Sequence, residues 1–421
     1  MQQHTPGQFL FLPLFTFGML LGGAACAQDN AGGKPDGPAW TLSGFGTVGA
    51  AHFSARNADY TSSVLKYDGA GATRNWSPNV DSRFGAQVDA HLSRRWSAVL
   101  QLVSEQGLDN SYRPRIEWAN IKYQATPDLA LRLGRIALPM FLAADYRKVG
   151  YAYPWVRPPV ESYNALAFTS SDGVDATWRW SMGPVRNASQ LFYGRDKVSL
   201  GPGLDAYGRG IVGFSNTSDW NALSVRASVI HAEATTNIGT ELFGAFKGAG
   251  PAGAALAQRY EIDHKLATIA SIGMNYDPGR WFLMAEASRT RTESMLGSTR
   301  SAYASAGARF GALTPYLVLA QVRATSPTHE EGLPTRGLPP ALAGQVAQLN
   351  GGLNLLLATI PQQTTKAVGL RWDLAANMAL KLQYDRVTPS HGSRGTLINL
   401  TPAFRSGQTA HVASVAHDFV D

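Results

Sequence analysis

Polar and apolar residues alternate one by one along many short segments of this chain. The clearest segment is 83–92, where Arg83, Gln87 and Asp89 share one phase and Phe84 begins the opposite, apolar phase. Fixed charges that line a water-filled passage attract ions of opposite sign and repel ions of like sign. The chemistry that this pattern favours is selection among small charged solutes.

Basic residues outnumber acidic ones on the polar phase of these segments. The nine basic residues are Arg83, Lys122, Arg132, Arg179, Arg226, Arg309, Arg323, Arg371 and Lys381, and the five acidic ones are Asp89, Asp175, Glu286, Asp373 and Asp385. The excess predicts a preference for anions. The opposing interpretation is that arginines pair with nearby carboxylates, Arg179 with Asp175 and Arg371 with Asp373.

The stretch 139–173 holds a second group of charges, among more aromatic rings than a loop in water usually carries. The charged residues of interest are Asp145, Arg147, Arg157 and Glu161. We expect this stretch to fold back against the charged phase of the segments and to narrow the space there. Arg135 precedes it on the apolar phase, and we expect its side chain to bend toward the mouth of the constriction.

A two-residue period is the signature of a β-strand with two unlike faces. A soluble sandwich would not bury charged residues, whereas a barrel standing in lipid around water places them inside. Sixteen such segments fit between residues 40 and 420, with short turns and long connections in alternation. The sequence therefore predicts an all-β fold, a transmembrane antiparallel β-barrel of 16 strands with an inward-folded constriction loop.

Aromatic residues cluster beside the short turns, as expected at a membrane boundary. These residues are Trp96, Trp180, Trp220, Tyr276, Trp281, Phe310, Tyr316 and Trp372.

The ends of the chain and one connection have their own patterns. Residues 1–27 have the apolar core and small-x-small cleavage site of a signal peptide, and an acylated Cys26 is the alternative interpretation. Apolar residues at helical spacing within 325–365 predict a short helix at the barrel mouth. The predicted organisation is a signal peptide (1–27), a short leader (28–39) and a barrel (40–421) that includes the constriction loop (139–173).

Several other classes of function are disfavoured by the same residues. His231, His264 and His411 lie at segment ends or in loops, without a nucleophile and a third group to complete a catalytic set. No cluster has metal-ligand spacing, and the formal dinucleotide fingerprint at 44–49 is not followed by a helix. The basic residues that give a pI of about 9.4 are interleaved along strands, so they form no nucleic-acid-binding patch. We expect no enzyme activity, no cofactor, no metal and no nucleic-acid partner.

Taken together, these features resemble the Gram-negative porins, the 16-stranded trimeric channels of proteobacterial outer membranes. The resemblance is carried by the sequence Leu131-Arg132-Leu133-Gly134-Arg135 leading into Pro139, by the long loop that follows, and by the strand 301–310 and the closing strand. It implies an outer-membrane location, a homotrimer surrounded by lipid and lipopolysaccharide, and a periplasmic leader. It also implies that 139–173 lines the pore. One departure is the end of the chain, Phe419-Val420-Asp421, where such barrels usually end in an aromatic residue.

Three functions are compatible with this pattern. The first is passive diffusion of small hydrophilic solutes and ions with a mild anion preference. The second is a substrate-specific channel for small anionic or aromatic solutes, because the rings and arginines of 139–173 could grip an anionic ring. The third and weakest is an outer-membrane barrel enzyme.

Overall fold

The computed structural model describes residues 38–164, 168–201 and 203–421. Over these residues, sixteen antiparallel strands each pair with the next along the chain, and the last pairs with the first. The barrel of 16 strands is therefore confirmed. In chain order the strands β1 to β16 are Ala39–Phe53, Arg83–His91, Trp96–Glu105, Arg115–Gln124, Leu129–Ala137, Ser170–Met182, Val185–Gly201, Leu204–Trp220, Leu223–Thr236, Lys265–Tyr276, Trp281–Thr292, Thr299–Ala308, Leu313–Ala324, Gln363–Ala375, Met378–Pro389 and Ala410–Val420.

The barrel closes along a seam between β1 and β16. Nine residue pairs form this seam, from Phe45 opposite Val420 to Phe53 opposite Val412. Within it, the Thr47 hydroxyl donates a hydrogen bond to Asp418 Oδ1 at 2.6 Å. A two-residue strand, Trp76–Ser77, is added to the sheet beside β1 as its seventeenth member.

The two faces of the strands differ as the alternation predicts. In β2, Phe84 is exposed on the outside, whereas Arg83 is buried on the inside. Trp96, Trp281 and other rings of the expected aromatic belt are also exposed on the outside. Tyr316 is the exception, because it faces inward and donates a hydrogen bond to Gln383 at 2.9 Å.

The strands β7 and β8 are much longer than the sequence analysis predicted. Among the long connections that the sequence pattern predicts, one covers 194–208, but in the structure β7 continues to Gly201 and β8 begins at Leu204. The alternation does continue through this region, since Arg195 and Lys197 are exposed and Asp196 between them is buried. The outward residues of this part of β7 are charged rather than apolar, so a search for apolar periodicity does not detect the strand.

In the described ranges, the long connections contain a 3-10 turn at Gly150–Ala152 and four α-helices: α1 (Val160–Tyr163), α2 (Thr240–Gly248), α3 (Pro251–Tyr260) and α4 (Pro340–Leu357). The helix expected within 325–365 is α4, and it packs with α2 and α3 through Phe243, Phe246 and Leu353. The pair α2 and α3 was not anticipated. None of the described helices is long and apolar enough to cross a membrane. The signal peptide and the leader up to residue 37 fall outside the described residues.

Candidate functional site

The connection from β5 to β6 lies against the inside of the barrel wall. Residues 138–164 of this connection, the inner segment, bury Met140, Phe141, Trp155 and other side chains in one apolar cluster with inward residues of the wall. The wall's part of the cluster consists of Phe192, Ile211, Ile230, Phe282, Met284, Tyr303, Tyr316, Val318, Ala320 and Ala367. Burial of one large apolar side chain stabilises a fold by about 1.5–3 kcal/mol. The cluster therefore fixes the inner segment to the wall from β7 to β14.

Polar contacts with β9 and β10 hold the start of the inner segment. The Arg226 guanidinium on β9 donates hydrogen bonds to the Phe141 carbonyl at 3.0 Å and to Asp145 Oδ2 at 2.8 Å. The Ser228 hydroxyl donates to the Met140 carbonyl at 2.8 Å, and the Ser271 hydroxyl on β10 donates to the same oxygen. The charge of Arg226 is thus balanced by Asp145.

Arg157 anchors the middle of the inner segment with a buried pair of carboxylates. Its Nε and Nη2 atoms donate to the two oxygens of Asp81 at 2.8 and 2.6 Å, a bidentate geometry. Nη1 lies 3.3 Å from Asp385 Oδ2, and Nη2 also reaches the Ser414 hydroxyl at 2.7 Å. Burial alone would lower the pKa of Arg157, but Asp81, Tyr60 and Asp385 together outweigh it and raise the pKa well above its ordinary value.

Lys381 on β15 caps three carbonyls of the inner segment. Its Nζ donates to the carbonyls of Gly150, Tyr153 and Trp155 at 2.7, 2.6 and 2.9 Å, and it lies 2.8 Å from Asp418 Oδ2. Because Nζ is fully buried among these oxygens, Lys381 is a structural anchor. Its place on the polar phase predicted that Lys381 would line the passage, and this prediction is wrong.

Glu161, in α1, is held by the wall through one carboxylate oxygen. Oε1 accepts hydrogen bonds from Gln363 Nε2 at 2.6 Å and from the Thr365 hydroxyl. Oε2 is buried and has no hydrogen-bond partner within the described part of the chain. Burial raises the pKa of Glu161, and the bonds from Thr365 and Gln363 offset only part of this effect.

The inner faces of β4 to β7 carry a polar strip on the other side of the barrel. Arg132 on β5 forms an ion pair with Asp175 on β6, with Nη2 and Oδ2 2.7 Å apart, and Gln190 on β7 donates to Asp175 at 3.1 Å. Lys122 on β4 lies directly opposite Arg132 in the strand register. This strip places two basic residues and one acidic residue side by side.

The inner segment meets β2 and β3 at one place. Arg83 Nη1 donates to the Arg147 carbonyl at 3.2 Å, and Lys148 forms an ion pair with Glu105 at the end of β3. Among the described residues, the Arg147 side chain has no ion-pair partner. Arg83, Arg147 and the Lys148–Glu105 pair therefore border the space between the segment and the polar strip.

Two residues expected inside lie on the outer face. Arg323 shares its phase with the exposed Leu317 and Leu319, while Val322 and Val318 face inward. The expectation that Arg323 lines the passage is wrong, because the inner side of β13 is apolar where the inner segment covers it.

Arg135 also points outward and does not bend toward a mouth. It makes a bidentate contact with its register partner Asp172, at 2.7 and 2.8 Å, and a longer one with Asp196 at 3.7 Å. The bidentate contact with Asp172, whose side chain is half exposed, holds the guanidinium on the outer face.

The pairing interpretation is confirmed for one arginine and wrong for the other. Arg371 donates to Asp373 Oδ1 at 2.8 Å, and its Nη1 also donates to the Tyr151 carbonyl at 2.6 Å. Arg179 is exposed near the short-turn end of β6 and does not pair with Asp175, which Arg132 occupies. The partner of an inward carboxylate is thus a neighbour across the sheet.

Sequence reasoning missed the carboxylates that position the inner segment. The sequence pattern connects neither Asp81 with Arg157 nor Asp418 with Lys381. The partners are far apart along the chain, so spacing alone carries no signal for them. Among the described residues, no group of His, Cys, Asp or Glu side chains is arranged to hold a metal ion.

Solved structures share this architecture. An anion-selective porin from Comamonas acidovorans is 13% identical with a TM-score of 0.53, and the match covers 91% of this chain and 100% of that chain. The outer-membrane channel DcaP of Acinetobacter baumannii is 10% identical with a TM-score of 0.52, covering 92% and 99%. OmpF of Salmonella typhi, in complex with daunomycin, is 13% identical with a TM-score of 0.51, covering 91% and 98%.

At these identities the likeness concerns the fold. The structural neighbours are Gram-negative outer-membrane porins, and this chain has their closed 16-stranded barrel. No protein-family model and no curated protein sequence matches the chain.

Proposed function

We propose that the chain is an outer-membrane porin that lets small hydrophilic solutes and ions diffuse passively through a water-filled channel. The observation that carries the proposal is the difference between the two inner walls. The wall from β7 to β14 carries the apolar cluster and is covered by the inner segment, which Arg226 anchors there, whereas the strip around Lys122, Arg132 and Asp175 carries charged side chains. A polar inner surface is what a water-filled passage requires.

The inner segment is the constriction in this proposal. Its anchors at Arg226, Arg157 and Lys381 would hold it at a fixed position inside the barrel, so that the passage runs between it and the polar strip. Fixed groups at a narrow point weigh most in selectivity, because salt screens charges beyond a Debye length of ~8 Å.

A mild preference for anions follows from the charges that remain after pairing. Arg226, Arg371 and Arg132 are balanced by carboxylates. Among the described residues, Arg147 and Arg179 have no ion-pair partner and border the side with the polar strip. Their positive charge would attract anions.

The substrate-specific channel remains the second candidate, but its main argument is weaker. The rings that were expected to grip a substrate, Tyr153, Trp155 and Tyr163, are buried in the apolar cluster. The rings of Tyr151 and Tyr153 lie beside cations, Arg371 at 4.6 Å and Lys381 at 4.8 Å. Both cations already donate hydrogen bonds to carbonyls of the inner segment. A barrel enzyme has less support still, since the named structural neighbours are porins and a channel.

The cellular setting belongs to the same proposal. A cleaved signal peptide at 1–27 would export the chain, and the barrel would stand as a homotrimer in lipid and lipopolysaccharide of the outer membrane. The exposed apolar side chains on the outer face, such as Leu133, Leu317 and Leu382, suit contact with lipid.

Planar-bilayer conductance across a salt gradient tests the proposal. The purified chain should insert in discrete steps, with three equal substeps for a trimer, and its reversal potential should have the sign of an anion-preferring pore. A chain lacking about fifteen residues from the centre of the inner segment should conduct more per step. A protein that folds in detergent but gives no conductance steps would refute the channel.

A further inference from the structure

Three arginines stand in a row on the outer face of the barrel. Arg289 on β11, Arg300 on β12 and Arg323 on β13 are direct partners in the strand register, Arg289 opposite Arg300 and Arg300 opposite Arg323. All three are exposed, and their inward neighbours Ser288, Ser301 and Val322 are not. We call Arg289, Arg300 and Arg323 the arginine row.

The arginine row has no acidic partner among the described residues. The outward cations of β5 to β8 are different, because Arg135 pairs with Asp172 and Lys197 with Asp205, at 2.7 and 2.9 Å. Arg195 and Arg209 form no ion pair among the described residues, but each lies opposite a carboxylate in the strand register, Asp172 and Glu233. The arginines of the row instead lie opposite one another, so like charge accumulates in this sector of the barrel. Lys366 and its register partner Arg386, both exposed on β14 and β15, extend that sector.

Like charges directly opposite each other on neighbouring strands destabilise a sheet. Neighbouring strands lie about 4.8 Å apart, so three guanidinium groups share a span of roughly 10 Å. An anion from outside the protein would remove this repulsion. Arginine suits phosphate in particular, because its planar fork donates two parallel hydrogen bonds to phosphate oxygens.

The surface beside the row is apolar. Toward the short turns, the next outward positions are Ala287, Ala302 and Gln321, followed by Ala285, Ala304 and Leu319. Leu317 and Leu319 flank these alanines and are exposed. A cationic row that continues into a shallow apolar strip matches a molecule with a phosphate head and an acyl tail.

The row lies at the end of the barrel where the long connections leave. Arg289 is close to the connection at 293–298, and Arg323 precedes the connection at 325–362. In the outer-membrane orientation expected for this barrel, long connections face the outside. The leaflet at that level is the outer one, whose lipid is lipopolysaccharide.

We infer that the arginine row binds the phosphate groups of the lipid anchor of lipopolysaccharide, with its acyl chains lying on the alanine strip. The inference rests on the outer-membrane location proposed above, but not on conduction through the barrel. Each basic residue near an anionic lipid surface strengthens binding by roughly fivefold. Loss of all three should weaken binding by about a hundredfold.

Native mass spectrometry of the detergent-solubilised full chain, titrated with bisphosphorylated lipid A, measures this binding. We compare the wild-type chain with the triple variant Arg289→Gln, Arg300→Gln, Arg323→Gln. The matched control is Arg195→Gln, Lys197→Gln, Arg209→Gln, which removes the same charge from outward positions of β7 and β8. Heat-modifiable migration confirms that each barrel is folded, and conductance is recorded separately so that a failed pore and a failed lipid site are distinguished.

The expected result is a loss of at least tenfold in lipid A affinity for the arginine-row variant and less than twofold for the control. Dephosphorylated lipid A should bind the wild-type chain as weakly as lipid A binds the row variant. Equal losses in the two variants would overturn the site, since net charge alone would then explain binding. Full displacement of lipid A by millimolar inorganic phosphate would also overturn it, because the row would then be a site for the free anion.

Discussion

Arg132 and Asp175 face each other across β5 and β6 as register partners, and Arg132 Nε lies 3.1 and 2.9 Å from the two carboxylate oxygens. The positive charge of Arg132 and the negative charge of Asp175 compensate each other, so the pair adds no net charge to the polar strip. Removing either one uncovers the opposite sign.

Arg132→Ala should shift the reversal potential of the channel toward cations, since it removes a cation and uncovers Asp175. Asp175→Asn should shift it toward anions. Two unit charges about 4 Å apart in water interact by about 1 kcal/mol, which limits each change in permeability ratio to roughly fivefold. The double variant should return close to the wild-type value, and shifts of the same sign in both single variants would contradict the pairing.

Arg157→Met should loosen the inner segment and lower stability. The change leaves Asp81 and Asp385 buried without their cation, which costs about 3–5 kcal/mol. The measurement is the midpoint of detergent unfolding, together with open-channel current noise, which should rise. Arg147→Met is the control, because the Arg147 side chain has no ion-pair partner among the described residues. Equal destabilisation by both variants would argue against the anchor.

Glu161→Gln should stabilise the protein at neutral pH. Burial raises the pKa of Glu161, so its contribution to stability is full below the unfolded-state pKa of ~4.3 and is lost as the pH rises through the folded-state value. A glutamine keeps an acceptor for Thr365 without a charge. Thermal unfolding should therefore occur at a higher temperature than in wild type at pH 7, and the gain should shrink toward pH 4. A gain independent of pH would point to another cause.

Gly46→Ala should impair folding, whereas the control substitution Gly44→Ala should not. A Cβ at Gly46 would collide with the ring of Phe419 across the seam, whereas at Gly44 the nearest atom is a carbonyl oxygen at 3.7 Å. Overpacking typically costs about 1–3 kcal/mol. The heat-modifiable fraction after refolding is the readout, and equal yields from both variants would refute the close contact.

Alkaline pH should reduce anion preference through Lys66. Burial lowers the pKa of this lysine to about 8, and its Nζ donates to the Asn79 carbonyl at 2.8 Å. The nearby charges are Glu105 and Asp81, which raise this pKa, and Arg83 and Lys148, which lower it. The reversal potential should move toward cations between pH 7 and 9. Lys66→Met should abolish that movement, and its persistence in the variant would assign it to another group.

Alternation along the sequence predicted the strands well where the inner wall is polar, as in β2, where Arg83 faces inward. It failed on β13, because Val318 and Val322 face the inner segment and Leu317 faces outward, so both sides are apolar. Periodicity can define two faces, but it cannot assign the inner one when both are buried or lipid-facing. The assignment of Arg323 failed for this reason.

The candidate site shows a related limit. Arg157 and Glu161 could be singled out because charges among aromatic rings are unusual in a loop. Their partners, Asp81 at 76 residues' separation and Thr365 at 204, could not, because such contacts depend on how the closed barrel brings distant strands around the inner segment. The local sequence pattern was enough to identify the inner segment. Its partners on the wall could be identified only from the structure of the closed barrel.

The bond between Thr47 and Asp418 spans 371 residues, and the same carboxylate lies beside Lys381, which caps the inner segment. The first and last strands can meet only after the whole chain has been made, so this contact forms among the latest in assembly. Closing the seam with the segment outside would leave Lys381 beside Asp418 but without the carbonyls of Gly150, Tyr153 and Trp155. We therefore expect the segment to enter while the sheet is still open, and the final strand pairing to close around it.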